Sequence, residues 1–467
     1  MYFEPQNAQS LIGVVFVIGL CWLLSENRRR FPWVLAAGSI VVQVGLVLLL
    51  FGLPRLEATL SPWNPLRWLG QGAQFLLQSA NGAVEGLGAA TRAGTAFVFG
   101  FLAGGDQPFA VANPGAVFIF AFQVMPVILV VCALSALLWH WKILKWITQG
   151  FGLLFQKTLG LRGPLGLATA ATIFMGQVEG PIFIRAYLDK LSRSELFMLI
   201  AVGMACVSGS TMVAYATILQ DVLPNAAAHV LTASIISAPA GVLLARILIP
   251  APPNEAADDF SEAEDKKYDS SIDAVIKGTG DGLTIVLNVG ATLIVFVAFV
   301  AIGNGVLDGL VDALWRASDW AAGWAPWMAG VRDALPAPDA PPLTVERILG
   351  VVFAPLAFAI GLPWSEAATG GLLLGAKLVL TEFTAFIRLS ELPPDLLGER
   401  SRMIMTYALC GFANIASVGI NVAGYSVLVP NRRGEVMGMV WKAMLAGFLA
   451  TCLTASLVGL MPASVFG

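Results

Sequence analysis

This sequence has little charge. Asp, Glu, Lys and Arg make up 12% of its 467 residues and leave a net charge of -3. A soluble domain carries about a quarter charged residues, so an ordinary water-exposed surface is excluded. Near-balanced charge with no basic block gives nucleic acid nothing to bind. The only two histidines, His140 and His229, each sit at the end of an apolar run. Both are expected as interfacial residues rather than ligands or proton shuttles. The five cysteines, Cys21, Cys132, Cys206, Cys410 and Cys452, lie inside apolar segments without zinc-type spacing. They read as small buried hydrophobes, and no metal or cofactor is expected. Positive charge is missing from the first ten residues, "MYFEPQNAQS", while Arg28, Arg29 and Arg30 follow the first apolar run. That order argues against a signal peptide and for a retained helix whose C-terminal end is cytoplasmic.

Apolar residues are what the chain does have, at 57%. Spans of roughly 17–25 such residues cross a bilayer as helices. The runs predict about eight crossings, at 10–26, 34–53, 112–140, 194–221, 228–249, 277–304, 403–428 and 434–462. The fold class is therefore an all-α membrane protein. Connections after the odd-numbered crossings carry Arg28–Arg30, Lys142 and Lys145, Lys266 and Lys267, and Arg432 and Arg433. The positive-inside rule makes these cytoplasmic, although Arg55, Arg67 and Arg92 fall on the other side. Residues 54–106, with Trp63 and Trp68, read as a surface helix plus loop, and 252–271 as a charged cytoplasmic loop. Residues 307–342 hold Trp315, Trp320, Trp324 and Trp327 among prolines, as an aromatic belt at the outer surface does.

Two apolar segments are too interrupted by Gly and Pro to span. The first, 163–189, contains "ATIFMGQVEGPIFIRAYL"; the second, 361–389, contains "GLPWSEAATGGLLLGAKLVLTEFTAF". Each carries a carboxylate near its middle, and both read as re-entrant hairpins, which require burial or a wet cavity. Glu179 is followed 29 residues later by Ser208 in "SGST", and Glu382 by Gly411 in "GFAN" at the same distance. So one unit, a hairpin with a carboxylate and then a crossing broken at its middle, occurs twice. Two crossings and an outer loop lie between the copies, which makes the second enter from the opposite face. Inverted repeats of this kind build secondary transporters, with substrate bound near the midplane. An ionised carboxylate in hydrocarbon costs on the order of 2.5–3.5 kcal/mol. Contact with a polar ligand in a hydrated cavity accounts for two of them; capping of hairpin-tip N–H groups is the plainer alternative.

The motifs "MGQVEGPIFIRAYL", "SRSELF", "LTASIISAP", "GLPW", "GAKLVLTEFTAF" and "YALCGFANIASVGI" resemble, in order and spacing, the concentrative nucleoside transporter family over roughly 112–460. The resemblance implies a homotrimer in the cell inner membrane, each protomer having eight crossings and two opposed hairpins. A scaffold domain would make the trimer, and a transport domain would carry a nucleoside across in elevator fashion. It implies that Gln177 and Glu179 face the nucleobase, with Phe412, and that Glu382, Asn414 and Ser417 hold the ribose. The implied division is 1–111 for N-terminal helices and an amphipathic segment, then 112–162 for a scaffold helix and an interfacial helix. Residues 163–222 would form the first hairpin and broken helix, and 223–306 crossings five and six. Residues 307–360 would form an outer loop and interfacial helix, 361–430 the second hairpin and broken helix, and 431–467 the last crossing.

Three departures from the family pattern bear on chemistry. Val178 stands where Thr or Ser commonly helps bind the base, and Thr381 where Asn often precedes the second carboxylate. The sodium site implied at Thr172, Met175, Cys206 and Val207 is degenerate, because sodium prefers oxygen ligands and a thiol suits it poorly. Protons are therefore expected to drive uptake, with Glu382 or Glu179 as carrier and sodium as the alternative. A passive channel would also use paired re-entrant segments. An intramembrane hydrolase with Glu179 and Glu382 as acid and base lacks any accompanying nucleophile motif, so no enzyme is expected.

Overall fold

The computed structural model describes residues 5–56, 64–109, 119–161, 163–177, 179–182, 184–251, 268–325, 327–334, 343–462 and 465–466. Every regular element among them is helical. The N-terminal helices are α1 (Pro5–Leu23), α2 (Trp33–Val47) and α3 (Pro65–Phe99). A first half follows: α4 (Pro126–His140), α5 (Ile143–Leu159), α6 (Gly163–Met175), the turns Glu179–Ile182 and Arg185–Leu188, α7 (Arg193–Ala205), α8 (Gly209–Leu219) and α9 (Ala226–Leu248). The second half repeats that order: α10 (Ser271–Ala322), α11 (Val345–Ala359), α12 (Trp364–Val379), α13 (Glu382–Glu391), α14 (Glu399–Leu409), α15 (Ile415–Leu428) and α16 (Arg433–Gly459).

Side chains set several boundaries. Ser192 and Glu195 form a reciprocal capping box at the start of α7, satisfying donors that a helix end leaves orphaned. Ser270 caps α10 and Thr344 caps α11. Between α11 and α12 the chain bends by 117°, through Gly361 at a φ of 121°, a region open to glycine and strained for other residues.

The two halves meet at their breaks. The Phe412 N–H donates to the Cys206 carbonyl at 3.3 Å. Gly411 makes the approach possible, since a Cβ there would lie 2.7 Å from the Ala205 carbonyl oxygen. Around this crossing α7, α9 and α16 pack on one another, and nearly every residue of α7 and α9 is buried. Outside it, α4 lies along α10. Gly278 and Gly282 present one face there, with a Cβ at either falling within 3.0 Å of α4 atoms. Small residues four apart let helix backbones touch where lipid supplies no hydrophobic drive.

Among the described residues, six helical stretches are singly long and apolar enough to cross a bilayer: 33–52, 85–103, 120–140, 226–248, 297–322 and 430–459. Four coincide with expected crossings. The first expected crossing is α1, and the two broken crossings are the pairs α7–α8 and α14–α15. Two expectations are corrected. The surface helix plus loop of 54–106 is largely one 35-residue helix, α3, whose second half is apolar enough to span. Its many glycines and alanines, with Glu85 and Arg92, dilute the hydropathy there. The helix of the sixth expected crossing does not stop at 304, and 307–322, expected as loop, is helical. Asn304, Asp308 and Asp312 look like a polar exit, yet no proline interrupts α10 and the helix continues to Ala322. Trp315 and Trp320 thus sit on that helix, and Trp320, Trp324 and Trp327 are exposed as a belt requires.

Candidate functional site

The first hairpin turns at Gly176, with φ at 110°, and buries Gln177 immediately after it. Gly203 on α7 admits this tip, for a Cβ there would sit 3.1 Å from the Gln177 Cα. The second hairpin turns at Leu380 and Thr381. The Thr381 hydroxyl accepts the Thr384 N–H at 3.2 Å and caps α13. Thr therefore does here what a capping Asn does. Glu382, the first residue of α13, is buried, and both its carboxylate oxygens take side-chain donors. The Tyr215 hydroxyl of α8 donates to Oε1 at 2.8 Å, and Asn414 Nδ2 donates to Oε2 at 2.5 Å.

Asn414 can do this because its other end is occupied. Its Oδ1 accepts the Ser417 N–H at 2.8 Å and caps α15. The Ser417 hydroxyl accepts from Gln177 Nε2 at 3.3 Å, and Gln177 Oε1 accepts from Asn421 Nδ2 at 2.9 Å. Asn421 Nδ2 also donates to the Ser417 carbonyl at 2.8 Å. An unbroken chain of polar contacts thus joins Tyr215, Glu382, Asn414, Ser417, Gln177 and Asn421 across both hairpins and both broken crossings. All six side chains are buried.

The chain of contacts does not exhaust its members. A carboxylate offers about four lone-pair sites and a primary amide two N–H groups, so Glu382 and Gln177 keep capacity. Asn421 Oδ1 and, one turn on, the Tyr425 hydroxyl are buried without a partner among the described residues. The site can accept and donate at several points within apolar walls, which suits a small polyhydroxylated or heterocyclic solute. Phe412, partly buried, packs on the core beside it.

The structure brings together Gln177, Glu382, Asn414 and Ser417 as expected. Val178 and the side chain of Glu179 lie outside the described residues. Reasoning from sequence missed Tyr215, Asn421 and Tyr425. Asn414, Ser417, Asn421 and Tyr425 share one face of a helix by their spacing, a signal that was present. Tyr215 gave none, because its partner is 167 residues away. His229, expected at the interface, is buried instead: its ring stacks on Phe51 at 4.8 Å, and Nδ1 lies 3.2 Å from the Tyr407 hydroxyl. The rings of Phe51, Tyr407 and Phe466 cover it.

The positions expected to form a degenerate sodium site are engaged internally. The Thr172 hydroxyl donates to the Thr169 carbonyl at 2.7 Å, within its own helix. Cys206 Sγ faces the Ser234 carbonyl at 3.6 Å, and the Val207 carbonyl accepts from the Ser234 hydroxyl at 3.2 Å. Met175 packs against the Ala136, Trp139, Tyr268 and Ala274 cluster. A soft thiol and a self-satisfied hydroxyl are a poor donor set for a hard cation.

Known proteins resemble this chain along nearly its whole length. Residues 12–64 and 229–459 match sequence families described as the N-terminus and C-terminus of a Na+ dependent nucleoside transporter, and residues 121–222 match one described as nucleoside recognition. An uncharacterized transporter of Bacillus subtilis, YutK, is 34% identical over 457 residues, covering 96% of this chain and 98% of the relative. The nucleoside permease NupC of Helicobacter pylori is 31% identical over 456 residues, covering 97% of each. The solved structure of CNTnw in an inward-facing substrate-bound state is 31% identical with a TM-score of 0.78, covering 97% of both chains.

Proposed function

This chain belongs to the concentrative nucleoside transporter family, and from that premise we propose that it imports nucleosides across the inner membrane by proton-driven symport. The observation that carries the substrate reading is the polar chain from Glu382 through Asn414 and Ser417 to Gln177. Glu382, Asn414 and Ser417 take the ribose hydroxyls, for which a carboxylate is the strong acceptor. Gln177, with Val178 and Glu179 next in sequence and with Phe412, takes the base. A free base lacks the ribose contacts, so uridine competes for uptake and uracil does so poorly. Equal competition by the two would remove the ribose assignment.

The donor set at Thr172, Met175, Cys206 and Val207 supports protons over sodium. Glu382 is the favoured carrier and Glu179 the other candidate. Each hairpin and its broken crossing, 163–222 and 361–430, move together as the transport domain, elevator fashion. The scaffold is built on α4 and α10. In the 297–322 stretch of α10, Val297, Phe299, Ile302, Val306, Leu310 and Leu314 are exposed within the protomer, so this apolar surface is available to lipid and to the other copies of a homotrimer. The test is radiolabelled nucleoside uptake into proteoliposomes with imposed sodium and proton gradients applied separately. Uptake rises as external pH falls, persists in choline and collapses with a protonophore. Strict dependence on external sodium at constant pH would overturn the proton assignment, and flux unable to concentrate solute would overturn symport.

A further inference from the structure

One buried charge has no part in the scheme above. Lys377, near the end of the first arm of the second hairpin, is wholly buried. Among the described residues no carboxylate lies within ion-pair distance of it. Its ammonium instead donates to the Ala408 carbonyl at 2.8 Å and the Thr451 hydroxyl at 2.7 Å, and lies 5.4 Å from the centre of the Phe448 ring. The Thr451 hydroxyl spends its own proton on the Phe448 carbonyl at 2.8 Å, which leaves its lone pairs for the ammonium. Ala408 is in the last turn of α14, just before the break. Carbonyls there lack helical partners and stand at the negative end of the helix dipole. A carbonyl, a hydroxyl oxygen and an aromatic face together are what a monovalent organic cation seeks. The first half has no counterpart, because 203 residues earlier the chain carries Phe174.

We propose that Lys377 is a tethered cation that positions Glu382. Its ammonium fills a monovalent-cation cage made by Ala408, Thr451 and Phe448, and so pins the hairpin arm to α14 and α16. The same α14 leads directly into the break that presents Asn414 to Glu382, so the pin sets the distance between those two residues. Once the side chain is cut back to alanine, the cage and the space left by three methylenes accept a free n-propylammonium ion.

The test uses purified full-length protein with two readouts. One is thermal unfolding in detergent. The other is nucleoside exchange in proteoliposomes with identical salts on both sides, so that the amine has no pH gradient to dissipate. Lys377→Ala should melt lower and exchange about tenfold or more slowly, the usual scale for a lost charged hydrogen-bond donor. Adding n-propylammonium should raise its melting temperature and restore part of the exchange. Wild type and Lys377→Met, whose side chain still fills the space, should not respond. Lys377→Arg, which keeps the charge, should exchange faster than Lys377→Met. If Lys377→Ala cannot be purified, this Arg–Met pair decides by uptake in cells. The proposal is overturned if Lys377→Met matches wild type or Lys377→Arg, or if the amine shifts wild type and Lys377→Ala equally. The exchange arm rests on the nucleoside reading; wild-type protein that exchanges no nucleoside would sink that reading and leave the melting arm to judge Lys377.

Discussion

The first hairpin leaves its tip through a glycine at positive φ, and the described residues of its return arm form two short turns, Glu179–Ile182 and Arg185–Leu188. The second hairpin turns without a positive-φ residue, caps its return arm with Thr381, and runs an uninterrupted ten-residue helix, α13. Their bases differ as well. Arg432 donates to the Leu188 and Leu191 carbonyls below the first. Below the second, Arg402 donates to the Leu389, Leu392 and Leu397 carbonyls, and Arg388 pairs with Glu346 of α11. The second hairpin is thus tied at its base by two arginines and near its tip by Lys377, while the first has a neutral amide, Gln177, as its described link to the site. One architecture, used twice, holds the Glu382 tip with charged groups and, among the described side chains, the Gln177 tip with a neutral amide. Rigidity where the charge sits makes physical sense, since a buried carboxylate needs its donors in place.

The comparison is broken most severely by Glu382→Gln. Replacing the carboxylate removes a charge-assisted acceptor worth roughly 1.5–3 kcal/mol, so nucleoside uptake should fall about 10- to 100-fold while the protein still inserts. It should also fall further than in Glu179→Asp. Normal uptake by Glu382→Gln would make the residue a structural cap.

Next in size is Gly411→Ala at the meeting of the breaks. The added Cβ would stand 2.7 Å from the Ala205 carbonyl oxygen, and overpacking of this kind costs about 1–3 kcal/mol. The melting temperature should drop. Gly203→Ala, whose Cβ would meet Gln177 at 3.1 Å, should be milder in stability and act on substrate affinity instead. Reversal of that order would mean that the halves do not lean on one another at Gly411.

A smaller effect is expected for Gln177→Ala, which forfeits neutral hydrogen bonds worth about 1 kcal/mol each. The apparent KM should rise several-fold, and crosslinking in detergent should still give a trimer. Loss of the trimer would show that site and scaffold are not separate.

Much of this organisation was legible beforehand. The equal spacing from Glu179 to Ser208 and from Glu382 to Gly411 exposed the repeat, and Gly and Pro inside apolar runs exposed the hairpins. Asn414 and Ser417 stood out because polar residues in an apolar run are costly. The length of α10 was not legible. Hydropathy reports where lipid ends, whereas a helix ends only where a breaker or a cap occurs, and none precedes Gly323.

The smallest effect is expected just past the C-terminal end of α1. Glu26 pairs with Arg193 at the first hairpin's base at 2.6 Å and with Lys442 of α16 at 3.3 Å. The Arg193 guanidinium holds the Glu26 carboxyl below the ordinary glutamate value, against a partial desolvation that pushes it up. A lowered folded-state value means that the pair stabilises the fold above the unfolded glutamate pKa of about 4.3. That contribution is lost as pH falls through the folded value. Exposed pairs are well screened, so Glu26→Gln should lower the melting temperature only slightly at neutral pH and not at all in strong acid. A gap between variant and wild type that widens in acid would contradict the assignment.

Composition and periodicity determined the solvent of this protein, the number of its repeats and the polar residues each repeat carries. Those are local properties: a residue's transfer energy and its place in a helical turn are set by the residue and its neighbours. Which polar groups meet was decided only by tertiary structure. Tyr215 reaches Glu382 across 167 positions, Gln177 reaches Asn421 across 244, and Lys377 finds its acceptors at Ala408 and Thr451. Such partners are chosen by the crossing of two broken helices, where backbone carbonyls come free and side chains from opposite ends of the chain arrive at one depth.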